Sequence, residues 1–236
     1  MLNIEHLTKR YGDKTAVDDL TLRVAPGELC TLIGPGGAGK SAVLRAAAGV
    51  RPFDGGSIRI GGIDLRADPI ACKRSFAYLP DVPDPYEFMT GAGYLNFIAD
   101  VFAVSAADRQ ARVRRLADAF ALSDALDQPV AAYPLEARQR LSLIAAWLHE
   151  PRLLLMDEPF ALLDQKSAQT LRRMLRELCA QGGAVLLSAR TLETAESLGG
   201  TVALLRDGKL LRLGAAEELR ADPSLKKPLR ELEEKA

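Results

Sequence analysis

At 236 residues the chain is long enough for one large domain, or a domain carrying a subdomain, around a well-buried core. Its 31 Lys and Arg balance 31 Asp and Glu, which excludes an overall field drawing it to nucleic acid or an anionic bilayer. Three cysteines (Cys30, Cys72, Cys179) without metal-ligand spacing, no signal-peptide pattern after Met1 and no apolar run near membrane length make a cytoplasmic protein the default expectation.

In chain order, residues 4–10 and 16–24 alternate apolar and polar side chains, predicting two antiparallel strands joined at Gly12-Asp13. The apolar run 29–33, with Cys30 as a core residue, predicts a buried strand, and 41–50 predicts a helix. Between them stands Gly34-Pro35-Gly36-Gly37-Ala38-Gly39-Lys40-Ser41: Gly, four spacers, Gly-Lys-Ser, the phosphate-binding P-loop pattern. Glycines let the backbone curl so that successive N–H groups approach phosphate oxygens, and the helix behind adds unpaired amides and a positive dipole end. Nucleotide contacts are therefore expected from Gly34, Gly36, Gly37, Ala38, Gly39, Lys40, Ser41 and Ala42, with Lys40 on the outer phosphates and Ser41 on Mg²⁺.

Further on, Asp54-Gly55-Gly56 and Gly61-Gly62 bracket a hairpin, and 75–79 predicts a strand. The loop after it holds Pro80, Pro83 and Pro85, which exclude helix and central strand. The pattern turns helical from 92 to about 148, with one helix from Ser105 and another over about 134–149. An apolar strand at 152–156 follows, then helix 166–180, strand 184–188, helix 191–198 and strand 201–205. That alternation predicts a mostly parallel α/β sheet. Asp207-Gly208 turns a last hairpin, and a charged, helical tail is expected from Pro223.

Asp157 and Glu158 close the apolar strand at 152–156. Ligands of open α/β sheets sit outside such strand ends, so Asp157 can share Mg²⁺ with Ser41 while Glu158 polarises a water for attack on the terminal phosphate. Either feature alone has a bland alternative, a glycine turn or a solvated acidic turn; together they point to an NTPase-type site.

The order of Tyr11, the P-loop, Ala77-Tyr78-Leu79-Pro80, a helical insert, Arg138-Gln139-Arg140-Leu141, Leu154-Leu155-Met156-Asp157-Glu158-Pro159 and Leu186-Leu187-Ser188 resembles the nucleotide-binding subunits of ATP-binding cassette (ABC) transporters. The resemblance covers about residues 1–220, with the helical subdomain at about 86–150 and a charged tail at 221–236, and is strongest to subunits whose exporter-type permeases are separate chains. It implies a P-loop NTPase core with a mostly parallel sheet, an antiparallel β subdomain and an inserted helical subdomain. It also implies ATP and Mg²⁺ as cofactors, adenine stacked on Tyr11 with Val17 nearby, an integral membrane permease and a second cassette as partners, and a place on the inner face of the cell membrane.

The chain departs from that family at the residues that complete hydrolysis. Where the family carries Leu-Ser-Gly-Gly-Gln, this chain has Tyr133-Pro134-Leu135-Glu136-Ala137, which lacks the hydroxyl and one N–H and adds a negative charge. Asp81 replaces a Gln that touches Mg²⁺ or the attacking water, Arg190 replaces a His that orients the terminal phosphate, and 160–164 keeps only the final Asp of its motif. These changes predict an ATP-binding subunit with weak or conditional hydrolysis, in which Glu158 and Arg190 are the candidate catalytic groups and Asp81 a candidate metal contact. Phe88, Met89, Tyr94 and Phe97 either form a permease-docking surface or pack inside the insert. Two other readings stay open: a non-transport ABC protein acting as an ATP-dependent switch, and a scaffold whose ATP is structural.

Overall fold

The structure is a computed structural model and describes residues 1–233. The chain begins with β1 (Leu2–Tyr11) and β2 (Lys14–Val24), each starting two residues earlier than the alternation suggests, turning at Gly12-Asp13 as expected. It continues through β3 (Leu29–Ile33), α1 (Lys40–Ala47), β4 (Gly55–Ile60), β5 (Ile63–Asp64), α2 (Pro69–Ser75) and β6 (Phe76–Leu79). Three helices follow, α3 (Gly91–Val101), α4 (Ala106–Ala119) and α5 (Leu135–Trp147). Then β7 (Leu153–Met156), α6 (Gln165–Ala180), β8 (Ala184–Ser188), α7 (Leu192–Leu198) and β9 (Thr201–Arg206) alternate, ending in β10 (Lys209–Gly214), α8 (Ala216–Ala221) and α9 (Lys226–Glu233).

Two sheets result. The smaller is antiparallel, in order β2-β1-β4-β5; the larger runs β10-β9-β3-β8-β7-β6, parallel except for β10. The parallel strands are mostly apolar because both faces are covered. Cys30 and Leu32 of β3, with Leu153 and Leu155 of β7, join the core shared with α1 and the small sheet. Leu29 and Ile33, with Leu154 and Met156, face the opposite core, which the inserted helices and α6 complete. Cys30 is core, as expected, and burial pushes its thiol up to about 12.

One helix was not expected. Helix α2 precedes the strand at 76–79, capped by Asp68 accepting from the Ala71 N–H with Pro69 at its first turn, yet it buries only Cys72 and so shows no apolar stripe. The tail is helical, and Leu225, Leu229 and Leu232 on it are buried. The last part of that tail, 234–236, lies outside the described residues.

Candidate nucleotide site

Because the larger sheet runs β3-β8-β7, the loops leaving those three parallel strands lie side by side, and they are the P-loop, Ser188-Ala189-Arg190 and Asp157-Glu158. The P-loop could be built only with glycine at two points. A side chain on Gly34 would collide with the Leu205 carbonyl, and Gly39, the left-handed N-cap of α1 at φ 106°, lies against the Ala16 carbonyl. No side chain caps α1, and among the described residues the N–H groups of Gly36, Gly37 and residues 39–42 find no protein acceptor. Six donors left open along one curl form an anion cradle. Lys40 is buried and donates to the Gly34 and Pro35 carbonyls at 2.6 and 3.3 Å. Burial lowers its ammonium from the ordinary value, while Glu158 and Asp157 push it back up.

Asp157 is buried at the end of β7. Its Oδ1 accepts from the Ser188 hydroxyl at 2.6 Å, and that hydroxyl accepts from the Glu158 N–H at 2.8 Å. Its Oδ2 is buried and, among the described residues, finds no hydrogen-bond partner. Burial raises the Asp157 carboxyl, and the Ser188 and Ser41 hydroxyls draw it down. A buried carboxylate oxygen left open beside a hydroxyl is the donor pair a hard divalent cation takes, so Ser41 and Asp157 fit Mg²⁺. Glu158 stands in the left-handed region at φ 48°, at a cost of about 1–2 kcal/mol, and Ser188 is what holds its amide there. Its Oε2 accepts from Arg190 Nε at 2.5 Å. Gly36, Lys40, Glu158 and Arg190 line one cavity, and Leu232 of α9 reaches its wall.

Residues 17–161 match the family model described as "ABC transporter". The chain is 31% identical over 221 residues, 94% of its length, to a daunorubicin resistance ATP-binding protein of Streptomyces coeruleorubidus, of which this covers 70%. It is 34% identical over 225 residues to an Fe(3+) ions import ATP-binding protein of Streptomyces coelicolor, 95% of this chain and 64% of that one. A solved ATP-binding subunit of an ABC transporter superposes with a TM-score of 0.90 at 31% identity, covering 99% of this chain and 98% of the other.

The chain belongs to the ABC transporter family.

Within this ABC cassette the remaining expected residues fall differently. Tyr11 is 44% exposed at the end of β1, under the Lys9 ammonium at 4.9 Å from its ring, and is open to stacking. Val17, expected beside adenine, is wholly buried in the core beneath the small sheet, because its position in β2 points inward; Tyr11 alone of the pair presents a surface. Asp81, expected near the metal, gives its Oδ1 to Arg45 of α1 at 3.1 Å, although its charge is close enough to raise Asp157.

At the start of α5, Pro134, Leu135 and Glu136 are all exposed. The Pro134 carbonyl accepts from the Ala137 and Arg138 N–H groups, with no side-chain cap, and Glu136 sits in the first turn. Asp164 caps α6, accepting from the Ser167 N–H at 2.7 Å. Phe88 is 82% exposed and Phe97 38%, stacked and tilted against Tyr86, while Tyr94 and Met89 are half-buried. The sequence concealed two partners of the site: Ser188 as the bridge from Asp157 to Glu158, and Arg45 as the counter-ion of Asp81. Their contacts span 31 and 36 residues, and no local spacing announces them.

Proposed function

We infer that the chain is the ATP-binding subunit of an ABC transporter that binds ATP with Mg²⁺, works with a separate membrane permease and hydrolyses ATP slowly unless a second cassette completes the site. The observation that carries this reading is the open cradle of N–H groups around Lys40, set beside the unpartnered Oδ2 of Asp157. Lys40 and the loop amides would hold the phosphates, Ser41 and Asp157 the metal, and Tyr11 the base. Bound there, Mg²⁺ would neutralise charge on the phosphate oxygens. Glu158 is the group placed to take a proton from an attacking water, but Arg190 occupies its Oε2. For Glu158 to meet a water with both oxygens, that ion pair must open.

Slow turnover also follows from the start of α5. In the family's paired arrangement this segment faces the partner's terminal phosphate. Glu136 would there bring a like charge, worth about 4 kcal/mol at ~4 Å and an effective dielectric near 20. Two copies alone would carry this defect in both sites, so the reading favours a partner cassette with an intact signature. The exposed Tyr86, Phe88 and Phe97, beside the Pro-rich loop, support permease docking there and hence a peripheral place on the membrane. Among the described residues no helix is long and apolar enough to cross a membrane. The reading treats 1–220 as the cassette, about 86–150 as its helical insert and 221–236 as an appended tail.

The test of the core reading is calorimetry with ATP–Mg²⁺ on wild type and Lys40→Ala. Loss of binding in the variant supports it; equal affinity overturns it. For the partner, Phe88→Glu is expected to abolish co-purification with the permease while leaving ATP binding intact, and unchanged co-purification refutes docking at this surface.

A further inference from the structure

Lys14 opens β2, directly across the turn from Tyr11, with which it is paired in the register of the hairpin. The hairpin is fastened to the P-loop rather than free to swing. The Ala16 carbonyl lies against Gly39, the Asp18 N–H donates to the Gly208 carbonyl at 2.9 Å, and the Gly208 N–H donates to the Ala38 carbonyl at 3.1 Å. On that mount the exposed Lys14 side chain extends over the loop, its Nζ 3.8 Å from where a Cβ on Gly37 would stand.

Other cations of this region are committed: Lys9 to Asp54 at 3.5 Å, Lys209 to Asp18 at 3.2 Å and Arg45 to Asp81 at 3.1 Å, while Lys40 donates to loop carbonyls. Lys14 makes no ion pair among the described residues, although Asp13 is its chain neighbour and Asp18 lies on the same strand. An ammonium held at the rim of a loop whose N–H groups at Gly36, Gly37 and 39–42 also lack acceptors adds like potential to like. Such an arrangement is complementary to one class of ligand, a polyanion that enters the loop and satisfies both.

We propose that Lys14 is a polyphosphate ligand of the nucleotide, so that one β-turn carries both the residue open to the base, Tyr11, and a cation for the phosphate chain. The proposal rests on the nucleotide-binding reading of the P-loop and adds to it a contact from outside the loop. A solvated surface lysine is the alternative, and it predicts no effect of the charge on binding.

The experiment is calorimetry of the full chain with ATP–Mg²⁺, ADP–Mg²⁺ and adenosine for wild type, Lys14→Ala, Lys14→Gln, Lys14→Arg and Lys40→Ala, at low and moderate salt. Lys14→Ala and Lys14→Gln are expected to weaken ATP and ADP about tenfold, the worth of one hydrogen bond to a charged group. Lys14→Arg should restore most of the affinity, adenosine should bind all Lys14 variants equally, and the loss should shrink as salt screens the charge. Lys14→Gln keeps a polar stem should Lys14→Ala loosen the turn. Wild-type affinity in Lys14→Gln while Lys40→Ala loses binding overturns this proposal and leaves the nucleotide reading standing. Wild-type affinity in both overturns the reading itself.

Discussion

The P-loop and the start of α5 are both beginnings of helices, and they are built in opposite ways. At α1 the cap is a left-handed glycine, no side chain reaches the open N–H groups, and glycines leave bare backbone around them. At α5 the cap is Pro134, which has no N–H, and the next two positions are filled by exposed Leu135 and an acid, Glu136, suited to the helix's own positive end. The first start leaves its dipole for an external anion. The second, likewise without a side-chain cap, sets an acid of its own beside it. A helix beginning can serve its own stability or a ligand's charge, and the residues within one turn of the cap decide which.

Breaking the first start should have the largest effect. Lys40→Ala is expected to weaken ATP–Mg²⁺ binding by about 10²-fold or more, since the variant loses a charged donor and leaves carbonyls of the loop unpaired. Converting the second start into the first should sharpen the comparison from the other side. Pro134→Ser with Leu135→Gly and Glu136→Gly is expected to promote ATP-dependent pairing by tenfold or more, read by light scattering, through removal of a like charge worth about 4 kcal/mol. The same triple variant should melt lower, because two glycines in a first turn cost the helix about 1–2 kcal/mol.

These segments differ in how plainly the sequence announced them. For β3, the P-loop and α1, the apolar run, the glycine spacing and the helix behind all agree, so strand, loop and role could be read locally. Asp157-Glu158 was legible for the same reason, at the end of four consecutive buried residues. What binds the site together was not. Glu158 meets Ser188 and Arg190 only because β8 lies between β3 and β7, a topology that pairs residues about 30 positions apart. Val17 faces inward from β2 and is buried, a placement that no local spacing announces. In the tail, Leu225, Leu229 and Leu232 have helical spacing, but nothing in their spacing says which surface buries them or that Leu232 ends beside the cavity of Lys40 and Glu158.

Smaller effects probe the candidate catalytic and base-stacking groups. Arg190→His frees the Glu158 Oε2 and, measured with a partner cassette of intact signature, should raise the steady-state ATPase rate about five- to tenfold, or about 1 kcal/mol of barrier. A rate unchanged or lowered would mean that Arg190 assists rather than restrains Glu158. Tyr11→Ala should weaken ATP and adenosine alike by about three- to tenfold, the range of an aromatic stacking contact near 1 kcal/mol. An effect on ATP without one on adenosine would place the base elsewhere.

On the proposed reading this cassette binds nucleotide normally and fails to close on a second copy of itself. It is tested by the mass in solution of the Glu158→Gln chain, expected to retain bound ATP, with and without ATP–Mg²⁺ by light scattering. A chain that binds ATP and stays monomeric is the predicted result. A stable ATP-dependent dimer of this chain alone would contradict it, because Pro134, Leu135 and Glu136 would then be shown to cap a phosphate after all.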